Sequence, residues 1–228
     1  MGHPNSFGQI TSGPPAQIDQ FQGARHEVFA QATCIRAGFR IEYENESDRS
    51  SRHAEFVATH IATGQQISVE AKSKHRPGVL GRPGATETSD NVNPRFGYLL
   101  RDAVAKNTPH PLVVFMDMNM PFESANRFLL RQDKPGPHPY IVKTLNSIRK
   151  EHGGRDPISL VVITSHPGHH TKDNEIPPHA HMVGQISMLP LRPARQEALF
   201  ALLQATNLYG QIPQLLPTKG GNTFSATA

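Results

Sequence analysis

Apolar positions change period several times along the chain. From Arg25 to Ala37, Val28, Phe29, Ala32 and Ile35 recur at helical spacing, and Gly38 stands where a C-capping glycine belongs. Phe39–Tyr43 then alternates as a strand, a polar stretch from Glu44 to Arg52 interrupts, and His53–His60 and Gln66–Lys72 alternate again about a tight turn at Ala62–Gly64. Residues 76–94 carry three prolines and three glycines and read as a long loop. Arg95–Lys106 sets Phe96, Leu99, Leu100, Ala103 and Val104 along one side of a helix. Leu112–Met118 and Ile158–Thr164 are apolar runs of buried-strand length, and helical spacing returns at Glu123–Gln132, Tyr140–Lys150 and Ala194–Thr206, with His181–Met188 as an edge strand. The order α-β-β-β-α-β, followed by further helices and strands, predicts an α/β fold with a mixed central sheet flanked by helices. Residues 1–20 and 211–228 lack a periodic apolar pattern and are expected to be flexible ends around a single domain over 21–210.

Strand alternation in the hairpin has a chemical consequence. On the first strand Ala54, Phe56 and Ala58 share a side, opposite Glu55, Val57 and Thr59; on the second, Ile67, Val69 and Ala71 oppose Gln66, Ser68, Glu70 and Lys72. Matching the apolar sides brings Glu55, Glu70 and Lys72 to one polar face. A two-residue loop at Ala62-Thr63 pairs Glu55 with Glu70, whereas a loop at Thr63-Gly64 pairs Glu55 with Lys72; either register gathers all three groups within a few ångströms.

Two facing carboxylates repel unless a cation stands between them. A hard ion such as Mg²⁺, or Mn²⁺, suits two carboxylates supplemented by a backbone carbonyl and water. An adjacent lysine can stabilise charge developing on phosphorus or orient the attacking hydroxide, so the triplet Glu70-Ala-Lys72 with Glu55 fits phosphodiester hydrolysis.

The segment from Glu27 to Lys72 resembles the core of the PD-(D/E)xK, or restriction-endonuclease-like, nuclease superfamily. It is also similar in layout to Holliday-junction-resolvase-type members. The likeness rests on helix-borne Glu27, the strand start at Ala37-Gly38-Phe39, Glu55 leading the second strand and Val69-Glu70-Ala71-Lys72. It implies an αβββαβ core, metal binding by Glu55, Glu70 and the Ala71 carbonyl, a catalytic role for Lys72 and assistance from Glu27. The chain departs from the family pattern in having Glu55 for the usual Asp, with no Pro-Asp pair before it. The Gln-x-x-x-Tyr motif of some exonuclease branches is also absent, the nearest text being Arg95-Phe-Gly-Tyr98.

Lys74, His75, Arg76 and Arg82 follow the second strand, where cations would grip phosphates without reading bases. A formal charge of +4 and a pI near 9.4 permit a polyanionic partner without requiring one. DNA is expected in preference to RNA, with the protein acting as a homodimer. The single cysteine, Cys34, reads as core and excludes an intramolecular disulfide and a multi-thiolate zinc site. No apolar run approaches a membrane span, and Met1-Gly-His-Pro-Asn-Ser lacks the regions of a secretory signal, so a cytoplasmic location is expected. Two other readings stand beside the nuclease: an inactive nuclease-fold module that binds nucleic acid or serves assembly, and a zinc hydrolase using His166, His169, His170, His179 and His181. Asp117, ending an apolar strand, is expected to cap the following turn.

Overall fold

A computed structural model describes residues 15–43, 53–79, 84–85, 93–130, 138–165 and 181–208. The chain runs α1 (Pro15–Arg36), β1 (Phe39–Glu42), β2 (Phe56–His60), β3 (Gln66–Ser73), α2 (Gly97–Ala105) and β4 (Leu112–Asp117). It continues with a short α3 (Phe122–Ala125) that runs into a π turn at Asn126–Leu130, then α4 (Pro139–Glu151), β5 (Ile158–Ser165), β6 (His181–Ile186) and α5 (Gln196–Leu208). The fold is therefore α/β. Among the described residues the strands form a six-stranded sheet of order β1-β2-β3-β4-β5-β6. β1, β2 and β3 form an antiparallel meander, β3, β4 and β5 run parallel, and β6 returns antiparallel at the far edge.

Both faces of the sheet are covered, so every position of β4 and β5 is buried and most are apolar. On one face, Phe29, Ala30 and Cys34 of α1 and Ala198, Leu199 and Leu202 of α5 meet Phe56, Ala58, Ile67, Val69, Val113, Phe115, Leu160 and Val162. On the other, Phe96, Leu100 and Ala103 of α2 and Ile141 and Ile148 of α4 pack on Leu112, Val114, Met116, Val161 and Ile163. Cys34 is buried as expected, and burial pushes its thiol far above its usual range.

α1 ends as the sequence foretold. Gly38 adopts φ +82°, and its N–H donates to the Ile35 carbonyl at 3.0 Å, turning the chain into β1. The start differs: Pro15–Gln20, expected to be part of a flexible arm, are helical. The terminal tail over 211–228 lies outside the described residues. No helix among the described residues is long and apolar enough to cross a membrane.

Candidate metal-binding and phosphodiesterase site

The β2–β3 hairpin takes the first of the two expected registers. Phe56 pairs with Val69, Val57 with Ser68 and Ala58 with Ile67, the register of the Ala62-Thr63 alternative. Glu55 lies in a bend just before β2, where its N–H donates at 3.1 Å to the carbonyl of Val69, the partner of Phe56, so the ladder is irregular at the acid. The connection is longer than two residues. His60 N–H donates to the Gln65 carbonyl and Gly64 N–H to the His60 carbonyl, both at 2.8 Å, leaving Ile61–Gly64 as the loop with Gly64 at φ +68°.

Alternation then directs Ser68, Glu70 and Lys72 to the face shared with Leu112, Val114 and Met116, their parallel partners on β4. That face lies under α2, so the carboxylate of Glu70 is fully enclosed, while Lys72 and Glu55 are largely shielded. The expected polar face is thus a roofed one. An isolated carboxylate there would cost several kcal/mol of desolvation, and the chain surrounds Glu70 with two ammonium groups instead. Lys72 Nζ stands 3.3 Å from Glu70 Oε2, and Lys106 Nζ stands 2.7 Å from Glu70 Oε1. Burial still wins, holding the Glu70 carboxyl above its usual range against the pull of Lys106 and Lys72.

Lys106 also lies 3.6 Å from Glu55 Oε1, so the two carboxylates converge on one cationic point. It is placed there by the end of α2. Lys106 is the C-cap, Asn107 turns left-handed at φ +46°, and the lysine stem reaches down onto the sheet. One turn earlier, Asp102 accepts a 2.8 Å bond from Lys72. Burial would lower the Lys72 ammonium, but Asp102 and Glu70 together raise it, so Lys72 remains a cation through the neutral range.

The sequence did not single out Asp102 and Lys106. They lie four residues apart on α2, a spacing that reads as an exposed intrahelical ion pair. Only the docking of the helix on the sheet sends one to Lys72 and the other to Glu70.

The donor set fits a hard divalent ion. Two carboxylates meet at one point already held by a positive charge. Ser68 N–H donates toward β4, to the Pro111 carbonyl, so the alternation of a parallel strand turns the Ala71 carbonyl the other way, beyond the strand end of β2. No group of three or more His, Cys, Asp or Glu side chains is gathered among the described residues, so an ion here would need carbonyl, water or phosphate oxygen to complete its shell, as Mg²⁺ accepts.

The other expected site residues are placed differently. Glu27 rides on α1, whose core residues cover the opposite face of the sheet from Glu70 and Lys72. Arg76 corrects the expectation of an exposed phosphate grip. It is 2% exposed, its Nε donates to the Met118 carbonyl at 2.8 Å, and its Nη2 donates to the Asn93 carbonyl at 3.0 Å. Lys74 is half-buried, with Nζ bonded to the carbonyls of Asn93 and Arg95. His75 is exposed, and Arg82 lies outside the described residues, as do His166, His169, His170 and His179 of the zinc reading.

A second polar cluster sits at the carboxyl ends of the parallel strands, on the α1 side. Asn119 Nδ2 donates to Ser73 Oγ at 2.9 Å and to the Lys74 carbonyl at 3.1 Å. Gln22 of α1 donates to the carbonyls of Arg76 and Val79. Asp117 caps its turn as expected, accepting from the Asn119 N–H at 3.3 Å. Its complete burial pushes the carboxyl up to about 7, against the opposing pull of the Asn119 N–H, Arg25 and Arg76.

Comparison of the chain with protein-family models, with curated proteins and with solved structures finds no match in any of the three. The functional reading therefore rests on this geometry.

Proposed function

We propose that the protein is a Mg²⁺- or Mn²⁺-dependent nuclease of restriction-endonuclease-like fold, hydrolysing phosphodiester bonds in DNA in preference to RNA. The observation that carries the reading is the convergence of Glu55 and Glu70 on one cation position with Lys72 beside Glu70. The fold half draws support from the chain order α1-β1-β2-β3-α2-β4, a meander followed by a helical crossover to a parallel strand, with one acid just before the second strand and the other on the third.

A divalent ion bound at this point would supply Lewis acidity and acidify a water for attack on phosphorus. Glu55, Glu70 and the Ala71 carbonyl would hold it. Lys72, kept protonated by its two carboxylate neighbours, is an electrostatic partner for the phosphoryl oxygens and not a base. Asp102 fixes the Lys72 side chain from the helix side. Exposed Arg95 and Tyr98 at the start of α2, together with exposed His75, would offer a nucleic-acid strand polar and aromatic contacts. Arg101 is committed to Glu151 through bonds of 2.9 and 2.6 Å.

A second reading, a nuclease-fold module without catalysis, draws on Lys106, whose ammonium already balances both carboxylates. One assay separates the two. The full chain is incubated with plasmid, linear and branched DNA and with RNA, in Mg²⁺ or Mn²⁺ and then EDTA, beside Lys72→Ala and Glu70→Gln. Metal-dependent cleavage that EDTA and both substitutions abolish, with nucleic-acid binding retained, supports the nuclease. Binding without cleavage by the folded wild type overturns it in favour of the module.

A further inference from the structure

We infer that Lys106 is a resident counter-ion of the metal site, and that a divalent ion enters by displacing its ammonium from between Glu55 and Glu70. The inference rests on the nuclease reading for its ligand. Its support is geometric. Lys106 Nζ occupies the one point that both carboxylates face, at 2.7 Å from Glu70 and 3.6 Å from Glu55. Magnesium sits at roughly 2.0–2.1 Å from its oxygens, closer than an ammonium can, so ion and ammonium cannot share that point. Glu70 is fully buried beneath α2, so ammonium and ion compete for the same enclosed oxygen.

Two features let the lysine leave. It is the C-cap of α2, anchored through its backbone N–H to the Ala103 carbonyl while Asn107 N–H takes the Val104 carbonyl, and its side chain, 19% exposed, reaches the surface at the helix end. Asp102 lies one turn back at the spacing that suits an intrahelical pair, so a carboxylate is available to receive the departing ammonium. Asp102 now holds Lys72. Asp102 would then hold both ammonium groups, so Lys72 keeps its place beside Glu70 while Lys106 withdraws. The device explains how a chain carrying two opposed acids, one of them buried, folds before an ion arrives. It also makes two quantities move in opposite directions: the stability that Lys106 lends to the metal-free chain is subtracted from the affinity for metal.

The test uses the full chain, Mn²⁺ alone as the probe, and two readouts that need no catalysis: Mn²⁺ affinity by titration calorimetry and melting temperature in EDTA. Lys106→Met is expected to lower the metal-free melting temperature yet bind Mn²⁺ at least about tenfold more tightly than wild type. Lys106→Arg keeps a cation with stronger carboxylate bonding and is expected to weaken Mn²⁺ binding while holding the melting temperature. Should the methionine variant not fold, Lys106→Gln carries the same measurement. Unchanged or weaker Mn²⁺ affinity in the neutral variants, with wild type binding normally, overturns the displacement and leaves the nuclease reading intact. Absence of Mn²⁺ binding in wild type and variants alike removes both.

Discussion

Lys72 bonds Asp102 of α2 at 2.8 Å while lying 3.3 Å from Glu70 on its own strand, so a single ammonium ties helix to sheet at the site. Asp102 is largely exposed, and the pair's contribution to stability is correspondingly small, within about 1 kcal/mol. Its importance is positional. Asp102→Ala is expected to lower the cleavage rate about tenfold, roughly 1.4 kcal/mol of barrier, with KM little changed. Asp102→Glu should recover part of the loss. A raised KM at unchanged kcat would instead place Asp102 among the substrate contacts.

Asp117 gives the fold a pH dependence. Its carboxyl moves from an ordinary value of 3.8 to about 7 on burial, so the native chain binds a proton that the unfolded chain has released across that interval. This contribution is fully present below the lower value and is lost as pH rises through the upper one, on the order of 2–4 kcal/mol across the window. Denaturant titrations between pH 4.5 and 8.5 should show this decline in wild type and a flatter profile in Asp117→Asn, which is the more stable of the two at pH 8. Parallel profiles would remove Asp117 as the source.

Arg76 spans the base of the segment after β3, donating to carbonyls of Met118 and Asn93, while its own N–H donates to Gln22 Oε1 at 2.9 Å. Arg76→Ala strips the buried Met118 carbonyl of its Nε donor, leaves the Asn93 carbonyl to Lys74 alone and empties a buried site, and is expected to cost about 2–4 kcal/mol in unfolding free energy. Arg76→Lys should recover little, because one ammonium cannot reproduce the guanidinium fork. Near-normal unfolding of the alanine variant would mean that water replaces these bonds freely.

Two glycines separate strain from crowding. Gly38 is left-handed with open space about it, so Gly38→Ala should cost only about 1 kcal/mol, all of it backbone strain. A Cβ at Gly184 of β6 would overlap the Leu203 side chain of α5, and Gly184→Ala should cost about 1–3 kcal/mol through overpacking. Adding Leu203→Ala ought to relieve the second variant and leave the first untouched. Equal responses of both glycine variants would show that crowding is not the distinction.

Much of this architecture was legible in the chain because sheet faces impose a strict period of two. The alternation Ile67-Ser-Val69-Glu-Ala71-Lys fixed which side chains share a face, and the apolar runs at 112–118 and 158–164 located the covered central strands. The Ala62-Thr63 register was available as one of two, and both gathered the same three groups. What local pattern could not convey was docking. Lys106 and Asp102 acquire their partners only because α2 lies across Glu70 and Lys72. Arg76 is interior only because distant carbonyls receive it, although its neighbours in sequence are cationic and exposed or half-exposed. The first turns of α1 escaped notice since Pro15–Gln20 offers few apolar positions to mark a buried side.

The spatial order of the strands repeats their order of synthesis. Each strand leaving the ribosome therefore meets a neighbour already made, and no gap in the sheet awaits a late insertion. Assembly proceeds by accretion at one moving edge, with short loop closures inside the meander and longer ones only where helices cross to β4 and β5. Among the described elements α5 is made last and packs against α1, made before any of the six strands, so the two seal the same layer. Removing α5 should accordingly uncover a face of α1 and of the sheet beneath it.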